Sequence, residues 1–217
     1  MSAQKPGASF PPTRGERSWS IVYEGGFDYV TQRPSLGGDL MLGGGFMRSA
    51  KNGMDQIGYY DDGKPTDALT ATHVLGVFPA IFMPRWGAGA ELRKMWTGII
   101  GFTGDLVPLV GRLEDAVTGR SVPRGDEGRT KDGESVPALQ GREAGEWLAA
   151  GFSGEGMVWA WLCGTALGIM LAGSEEEDIP KTPGQPGGKL AEWFPREVLV
   201  SKERLESAHV SNLADQI

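Results

Sequence analysis

The residues best suited to chemistry lie in one stretch, residues 146–171, where two apolar runs are joined by glycines. Residues 146–150 (EWLAA) predict a buried strand, residues 151–156 (GFSGEG) a tight turn, and residues 157–172 a buried helix. The first amides of a helix have no partner within it and carry partial positive charge. Glycines let a planar ligand approach the backbone. The pattern therefore indicates either a site for an anion or a polar ligand edge, or an ordinary turn into a core helix.

This turn departs from the dinucleotide-binding fingerprint. Gly154, Glu155 and Gly156 begin like GxGxxG, but Trp159 stands where the third glycine is needed for close helix–strand packing. The acidic residue expected about 20 residues further on, at the end of a second strand, is also missing, because an acidic loop follows instead. The turn is therefore not predicted to bind a pyrophosphate in the usual way.

Composition excludes several classes of function. The net charge is −7 and no basic patch is visible, which argues against nucleic-acid binding. The single cysteine, Cys163, permits no disulfide framework and no cysteine-based zinc site. It lies in the apolar helix, where we expect it buried. His73 is expected to be a satisfied or surface residue rather than a catalytic one, and His209 lies in a polar tail. No metal site is predicted.

The apolar run and the single cysteine also lead to predictions about the cellular location. The apolar run 157–172 is short for a membrane span of about 20 residues, so no membrane association is predicted. One unpaired cysteine is typical of a reducing compartment. The expected location is the cytoplasm or another reducing intracellular compartment, the peroxisome included.

Strand and helix patterns surround this stretch. Residues 19–23, 27–32 and 39–42 predict three antiparallel strands, with a hairpin turn at Gly25-Gly26. Asp67 predicts the start of a helix that ends at Pro79, and residues 91–102 and 106–111 predict two more strands. The predicted organisation is a disordered tail (1–17), a sheet unit with a helix near 67–82 (18–112), a polar insertion (113–143), the strand–turn–helix unit (144–205) and a second tail (206–217).

Four segments together resemble a known family. They are residues 39–46 (DLMLGGGF), 96–111 (WTGIIGFTGDLVPLVG), 151–160 (GFSGEGMVWA) and 193–200 (WFPREVLV). In this order they are similar to segments of the FAD-dependent oxidoreductases related to D-amino-acid oxidase and sarcosine oxidase, the fungal members above all. The resemblance implies an α+β fold. Its parts would be an antiparallel or mixed substrate-domain sheet and a terminal strand–glycine turn–helix unit from a Rossmann-like FAD-binding domain.

The resemblance also implies roles for individual residues. Residues 101–103 would line the flavin side of the site and Asp105 would fix the turn, while residues 151–157 would offer backbone contacts to the isoalloxazine and ribityl groups. The implied cofactor residues are Gly101, Phe102, Thr103, Asp105, Gly151, Phe152, Ser153, Gly154, Glu155, Gly156 and Met157.

Two positions depart from the family pattern, and the substrate side stays open. Gly104 stands where many relatives have proline, which would loosen that turn. Glu155 stands where many have a neutral residue, so its carboxylate is expected to point away from the cofactor, pair with a cation or simply be solvated. Arg33 and Arg48 are candidates for binding a substrate carboxylate, or are solvated cations.

The family's opening strand, GxGxxG turn and helix find no counterpart in residues 1–40. The expectation is therefore a partial FAD-dependent oxidoreductase, missing an N-terminal half. In the complete protein it would oxidise the C–N bond of a small amine or amino acid by hydride transfer to flavin. Alternatives are a non-catalytic remnant or interaction domain, unable to bind FAD alone, and an unrelated α+β binding module. The chain alone is predicted not to bind FAD stably and to expose apolar surface.

Overall fold

The structure is a computed structural model, which describes residues 1–13, 15–34, 36–63, 67–120 and 145–215. The chain divides into two compact units, residues 1–99 and 100–217. The described elements confirm the α+β class: one five-stranded sheet, one two-stranded sheet and a few helices. The boundary between the units, after residue 99, lies before the predicted end of the sheet unit at residue 112. The reason is that the strand expected at 106–111 pairs within the second unit.

The first unit is an antiparallel sheet covered by a helix on one face. Its strands follow the order β2-β3-β4-β1-β5, and all pairs are antiparallel. The consecutive strands β2, β3 and β4 are the predicted meander, and the hairpin turn falls at Glu24-Gly25, one residue earlier than predicted. The bounds are β1 Ser2–Lys5, β2 Ser18–Tyr23, β3 Gly26–Gln32, β4 Leu40–Gly43 and β5 Glu91–Met95. The strand predicted over 91–102 thus ends at Met95.

The prediction of a disordered tail over residues 1–17 was wrong. Strand β1 lies inside the sheet between β4 and β5, and Phe10 is buried in the core. Ser2 and Gln4 point to the helix-covered face, where the Gln4 amide donates to Ser2 Oγ at 3.0 Å and to the Val74 carbonyl at 2.9 Å. A strand that satisfies polar side chains in this way shows no apolar alternation in its sequence.

Helix α1, Ala68–Phe82, covers that face of the sheet. It begins as predicted, with Asp67 Oδ1 accepting the Thr70 N–H at 2.9 Å. It does not end at Pro79, which lies inside it. Phe78 is fully buried just before the proline, and Phe82 packs on Phe10, Trp19 and Trp86 just after it. These aromatic contacts hold the last turn in spite of the missing proline N–H.

The second unit is built on a two-stranded antiparallel sheet. Strand β6 (Leu109–Leu113) pairs with β7 (Glu146–Ala150), and helix α3 (Gly156–Ala172) packs on them through Cys163 and Ala166. The described part of this unit also has three short α-helices, α2 (Asp115–Thr118), α4 (Leu190–Trp193) and α5 (Lys202–Ser207), and a 3-10 helix at Arg196–Val198.

Two further predicted segments, the polar insertion and the C-terminal tail, contain regular structure in their described parts. The polar insertion predicted at 113–143 falls largely outside the described residues, while its start contains the end of β6 and helix α2. The C-terminal tail predicted from residue 206 is ordered through a 3-10 helix, Val210–Asp215, and the Ala208 carbonyl accepts the Gly104 N–H at 2.7 Å. Within the described ranges, no helix combines the length and apolar character that crossing a bilayer requires.

Candidate functional site

Two loops that are distant in sequence meet in the second unit. Residues 101–107 lead into β6, and residues 151–155 join β7 to α3. The Ser153 N–H donates to the Gly101 carbonyl at 2.9 Å, and Ser153 Oγ lies 3.4 Å from the Thr103 nitrogen. We call this pair of segments the double loop. The structure thus brings together two of the segments that the sequence singled out.

Glycine at position 151 is required by this close approach. Its φ is +73°, a conformation that side chains rarely adopt, and a Cβ there would lie 2.6 Å from Thr103 Cγ2. Gly104 is equally constrained, because a Cβ would lie 2.0 Å from the His209 carbonyl oxygen. The expectation that Gly104 loosens its turn is therefore wrong: the missing side chain permits close contact with the C-terminal segment.

The double loop also holds two non-glycine residues with left-handed backbones, Ser153 at φ +51° and Leu106 at φ +62°. Such residues cost free energy, on the order of 1–3 kcal/mol each, and occur often at functional sites. Surrounding hydrogen bonds therefore have to hold both in place.

Asp105 fixes the first loop, in agreement with its expected role. Its Oδ1 accepts the Val107 N–H at 3.2 Å, and its Oδ2 pairs with the Arg204 guanidinium at 2.6 Å. Arg204 is almost fully buried and also donates to the carbonyls of Val107, at 2.7 Å, and Glu197, at 2.6 Å. Sequence analysis missed Arg204, and the signal for it is weak, because the residue lies 99 positions from its carboxylate partner.

The predicted cofactor residues fall into two groups: some are bonded or packed within the double loop, and others have unbonded amides or exposed side chains. Thr103 is 3% exposed and donates its hydroxyl to the Val107 carbonyl at 2.9 Å, while Phe152 packs on the core of the unit. The amides of Ser153 and Glu155 are bonded to Gly101 and Phe152. Thr103, Phe152, Ser153 and Glu155 thus stabilise the loops, and the groups that they use for these contacts are not available to a ligand.

The open residues surround the start of α3. The amides of Gly154, Gly156 and Met157 donate to no acceptor within the part of the chain that the structure describes. A Cβ added at Gly154 or Gly156 would meet no atom within 4 Å, so the space beside the Cα atoms of these two glycines is open. The helix start is therefore a group of unsatisfied donors with partial positive charge, accessible from outside the unit.

Several apolar side chains of the double loop and of α3 are exposed. Met157 is fully exposed, and Phe102, Leu106, Val158 and Trp161 are each more than 40% exposed. Glu155 is the exposed N-cap residue of α3, and its side chain caps no amide and makes no ion pair among the described residues. Its direction relative to a cofactor stays a prediction. The start of α3 therefore combines free N–H donors with uncovered apolar surface.

A second polar cluster lies in the first unit, under α1. Asp28 is fully buried; its Oδ2 lies 2.6 Å from His73 Nε2, and its Oδ1 accepts the Tyr23 hydroxyl at 3.1 Å and the Gly45 N–H at 2.8 Å. Arg48 lies over the Tyr23 ring, with Cζ 3.8 Å from the centroid. We call these five residues the Asp28 cluster. His73 is confirmed as a satisfied histidine.

Burial and the charged groups of the Asp28 cluster shift the pKa of Tyr23. Burial raises the pKa of the Tyr23 phenol, the Asp28 carboxylate raises it further, and Arg48 opposes the shift. The two candidates for substrate binding lie apart: Arg33 is exposed just after β3, whereas Arg48 is partly buried in the Asp28 cluster. Sequence analysis did not identify Asp28, although the alternation of Asp28, Val30 and Gln32 along β3 places all three on the buried face.

Within the described ranges, no group of three or more histidine, cysteine, aspartate or glutamate side chains is arranged to hold an ion. In a comparison with family models, curated proteins and solved structures, this chain matches none of them.

Proposed function

We propose that this chain is the flavin-facing part of an FAD-dependent oxidoreductase that oxidises the C–N bond of an amine or amino acid. One observation supports this most: the open start of α3, where the amides of Gly154, Gly156 and Met157 adjoin exposed apolar side chains. An isoalloxazine ring has a polar edge and an apolar body, and this surface offers a matching group to each.

The residues would act on the ring through position and charge. The free amides would donate to the polar edge, where the reduced ring carries negative charge, with each contact contributing about 0.3–1 kcal/mol. Gly154 and Gly156 leave room for the ring to approach the backbone. Phe102 and Met157 would cover its apolar part and exclude water from it.

FAD, when bound, would supply the acceptor for a hydride from the carbon next to the amine. In this proposal the chain provides only the flavin-facing contacts, and a separate dinucleotide-binding part holds the ADP end. We therefore expect the purified chain to be colourless and inactive. Flavin absorbance that persists through gel filtration would contradict this division of the site.

Weak flavin binding is the direct test. We expect FMN in excess to shift the backbone NMR signals of residues 101–106 and 151–158, because it carries the ring without the ADP group. AMP, which has a phosphate but no isoalloxazine, should leave those signals in place. Equal shifts with both nucleotides would indicate a general anion site, and no FMN-specific shift would contradict the flavin proposal.

A matched pair of variants locates the contact. Gly156→Val fills the open space beside the Gly156 Cα, so we expect FMN-induced shifts to fall at least fivefold. Gly168→Ala lies in the same helix and is also unobstructed, and it should leave FMN binding unchanged. An equal response in both variants would show that the ring does not approach Gly156.

The second candidate is a non-catalytic interaction domain, favoured by one face of α3. Val158, Trp161 and Leu162 are exposed, although the helix is apolar on every side and such helices are normally buried. If FMN fails to bind while Val158→Lys abolishes association with another macromolecule, this candidate replaces the first.

A further inference from the structure

The chain has two asparagines, and they differ in the residue that follows them. Asn52 precedes Gly53, whereas Asn212 precedes Leu213. Glycine has no side chain, so nothing on it hinders the approach of its backbone nitrogen to the Asn52 carboxamide, whereas the branched side chain of Leu213 shields the nitrogen after Asn212. Of the two carboxamides, the one at position 52 is therefore the more open to attack by the backbone that follows it.

The turn that contains Asn52 and Gly53 requires both residue types. Asn52 has a φ of +52° and Gly53 a φ of +90°, a left-handed region that asparagine tolerates better than most residues and that glycine adopts without strain. A Cβ at Gly53 would also lie 2.4 Å from Cε1 of the Phe46 ring. The Asn52 side chain is exposed and makes no hydrogen bond among the described residues. The constraints that form this turn thus place a reactive Asn-Gly pair in it.

Two consecutive hydrogen bonds hold the Gly53 amide. Its N–H donates to Ser49 Oγ at 2.9 Å, and the Ser49 hydroxyl donates to Asp55 Oδ1 at 2.5 Å. The bond from Ser49 is the main cause that lowers the pKa of Asp55, so this carboxylate is ionised at neutral pH and can only accept. Ser49 and Gly53 are both buried, which keeps water from replacing these bonds. We call Ser49, Gly53 and Asp55 the Ser49 network.

Attack on the carboxamide requires this turn to open. In the left-handed region ψ is about +30 to +60°, which directs the next nitrogen away from Cβ. The Gly53 nitrogen therefore reaches Asn52 Cγ only after the peptide plane between the two residues has rotated, and this rotation breaks the bond to Ser49 Oγ.

The reaction that follows opening needs only water. The Gly53 nitrogen bonds to Asn52 Cγ and loses its proton to water, while the bond from Cγ to Nδ2 breaks and the leaving nitrogen takes up a proton to form ammonia. The product is a five-membered succinimide. Water then adds to one of its two carbonyls, and the ring opens to aspartate or to isoaspartate.

From these contacts we propose that Asn52-Gly53 is a site of spontaneous deamidation and that the Ser49 network sets its rate. The modification replaces a neutral carboxamide with a carboxylate, and the isoaspartate product lengthens the backbone by one carbon within the turn. The site is independent of the proposed flavin function, because all of its residues lie within residues 1–99.

The test is incubation of the whole chain at pH 8 and 37 °C, followed by mass spectrometry that locates each change from carboxamide to carboxylate. We expect Asn52 to react at least about tenfold faster than Asn212, which is the control within the same chain. In 6 M guanidinium, where every turn is open, Asn52 should react about tenfold faster than in the folded chain. Equal rates at the two asparagines would overturn the site, and equal rates in the folded and unfolded chain would overturn the role of the network.

Variants separate local opening from general loss of stability. Ser49→Ala removes the acceptor of the Gly53 N–H, so deamidation of Asn52 in the folded chain should accelerate about three- to tenfold, the range that corresponds to one lost hydrogen bond. Asp55→Ala leaves the Ser49 hydroxyl without its acceptor and should act in the same direction. His73→Ala weakens the first unit outside this turn and should leave the rate at Asn52 unchanged. An unchanged rate in Ser49→Ala and Asp55→Ala, or an equal acceleration in His73→Ala, would show that the Ser49 network does not set the rate.

Discussion

At the scale of single residues, Asp28 places a carboxylate in the interior of the first unit, where its side chain is fully buried. It has no solvent to stabilise its charge, so the donors around it have to do so. We expect His73→Ala to lower the free energy of unfolding by about 2–3 kcal/mol, because it removes the donor at 2.6 Å and leaves a buried charge less compensated. Urea unfolding followed by tryptophan fluorescence measures this.

The second histidine is the matched control. His209 is exposed, and its Nδ1 contacts only Ser211 Oγ, at 2.7 Å, among the described side chains. His209→Ala should change the free energy of unfolding by less than about 0.5 kcal/mol, as is usual for exposed positions. Similar losses in both variants would mean that the contact between His73 and Asp28 adds nothing to the free energy of unfolding.

Cys163 gives a prediction about reactivity. The thiol is fully buried in α3, and burial raises its pKa, so the reactive thiolate is scarce near pH 8. Alkylation by iodoacetamide at that pH should therefore be slow in the folded chain and accelerate at least a hundredfold in 6 M guanidinium, as measured by mass spectrometry. Rapid labelling without denaturant would show that α3 is not packed as described.

At this scale the sequence allowed some features of the sites to be predicted and not others. The burial of Cys163 followed from its apolar neighbours, and the turn at 151–156 from its glycines. The pairing of Asp105 with Arg204 and of Asp28 with His73 joins residues 99 and 45 positions apart. No local pattern specifies such pairs, because long-range packing alone decides which charges meet.

At the scale of elements, the turn between β7 and α3 depends on glycine at one position more than at others. We expect Gly151→Ala to lower the free energy of unfolding by about 2 kcal/mol or more, from the left-handed backbone and the contact with Thr103. Thermal unfolding followed by circular dichroism measures the loss.

Another glycine in the neighbouring helix should respond in the opposite direction. Gly168 lies inside α3 in open space, so Gly168→Ala should raise the free energy of unfolding by about 0.5–1 kcal/mol. If both substitutions had the same sign, the conformation assigned to residues 151–155 would be incorrect.

Element prediction succeeded where local signals and packing agree. The meander of β2, β3 and β4 has alternating side chains and a glycine turn, and α1 has an aspartate cap. Strand β1 was missed because Ser2 and Gln4 are buried polar residues that satisfy one another. The end of α1 was misplaced because aromatic packing around Phe82 outweighs the local preference of Pro79.

At the scale of the whole molecule, each unit has its own core. Val30, Leu42 and Phe78 belong to the core of the first unit, and Val110, Cys163 and Ala166 to that of the second. The sequence predicted two parts but placed their boundary later, because the apolar run before residue 112 does not show which strand it pairs with. The partner of this run is β7, which follows it in the sequence only after residues 121–144, and these lie outside the described residues.

A core that is complete within one segment should fold without the other. We expect residues 1–99, expressed alone, to unfold cooperatively in urea, because the helix, all five strands and the Phe10–Trp19–Trp86 aromatic contacts lie within them. Near-ultraviolet circular dichroism of the tryptophans reports the packing. Val30→Asp places a charge in the fully buried centre of the sheet and should abolish the transition. If the parent fragment showed no transition either, residues 1–99 would not be an independent folding unit.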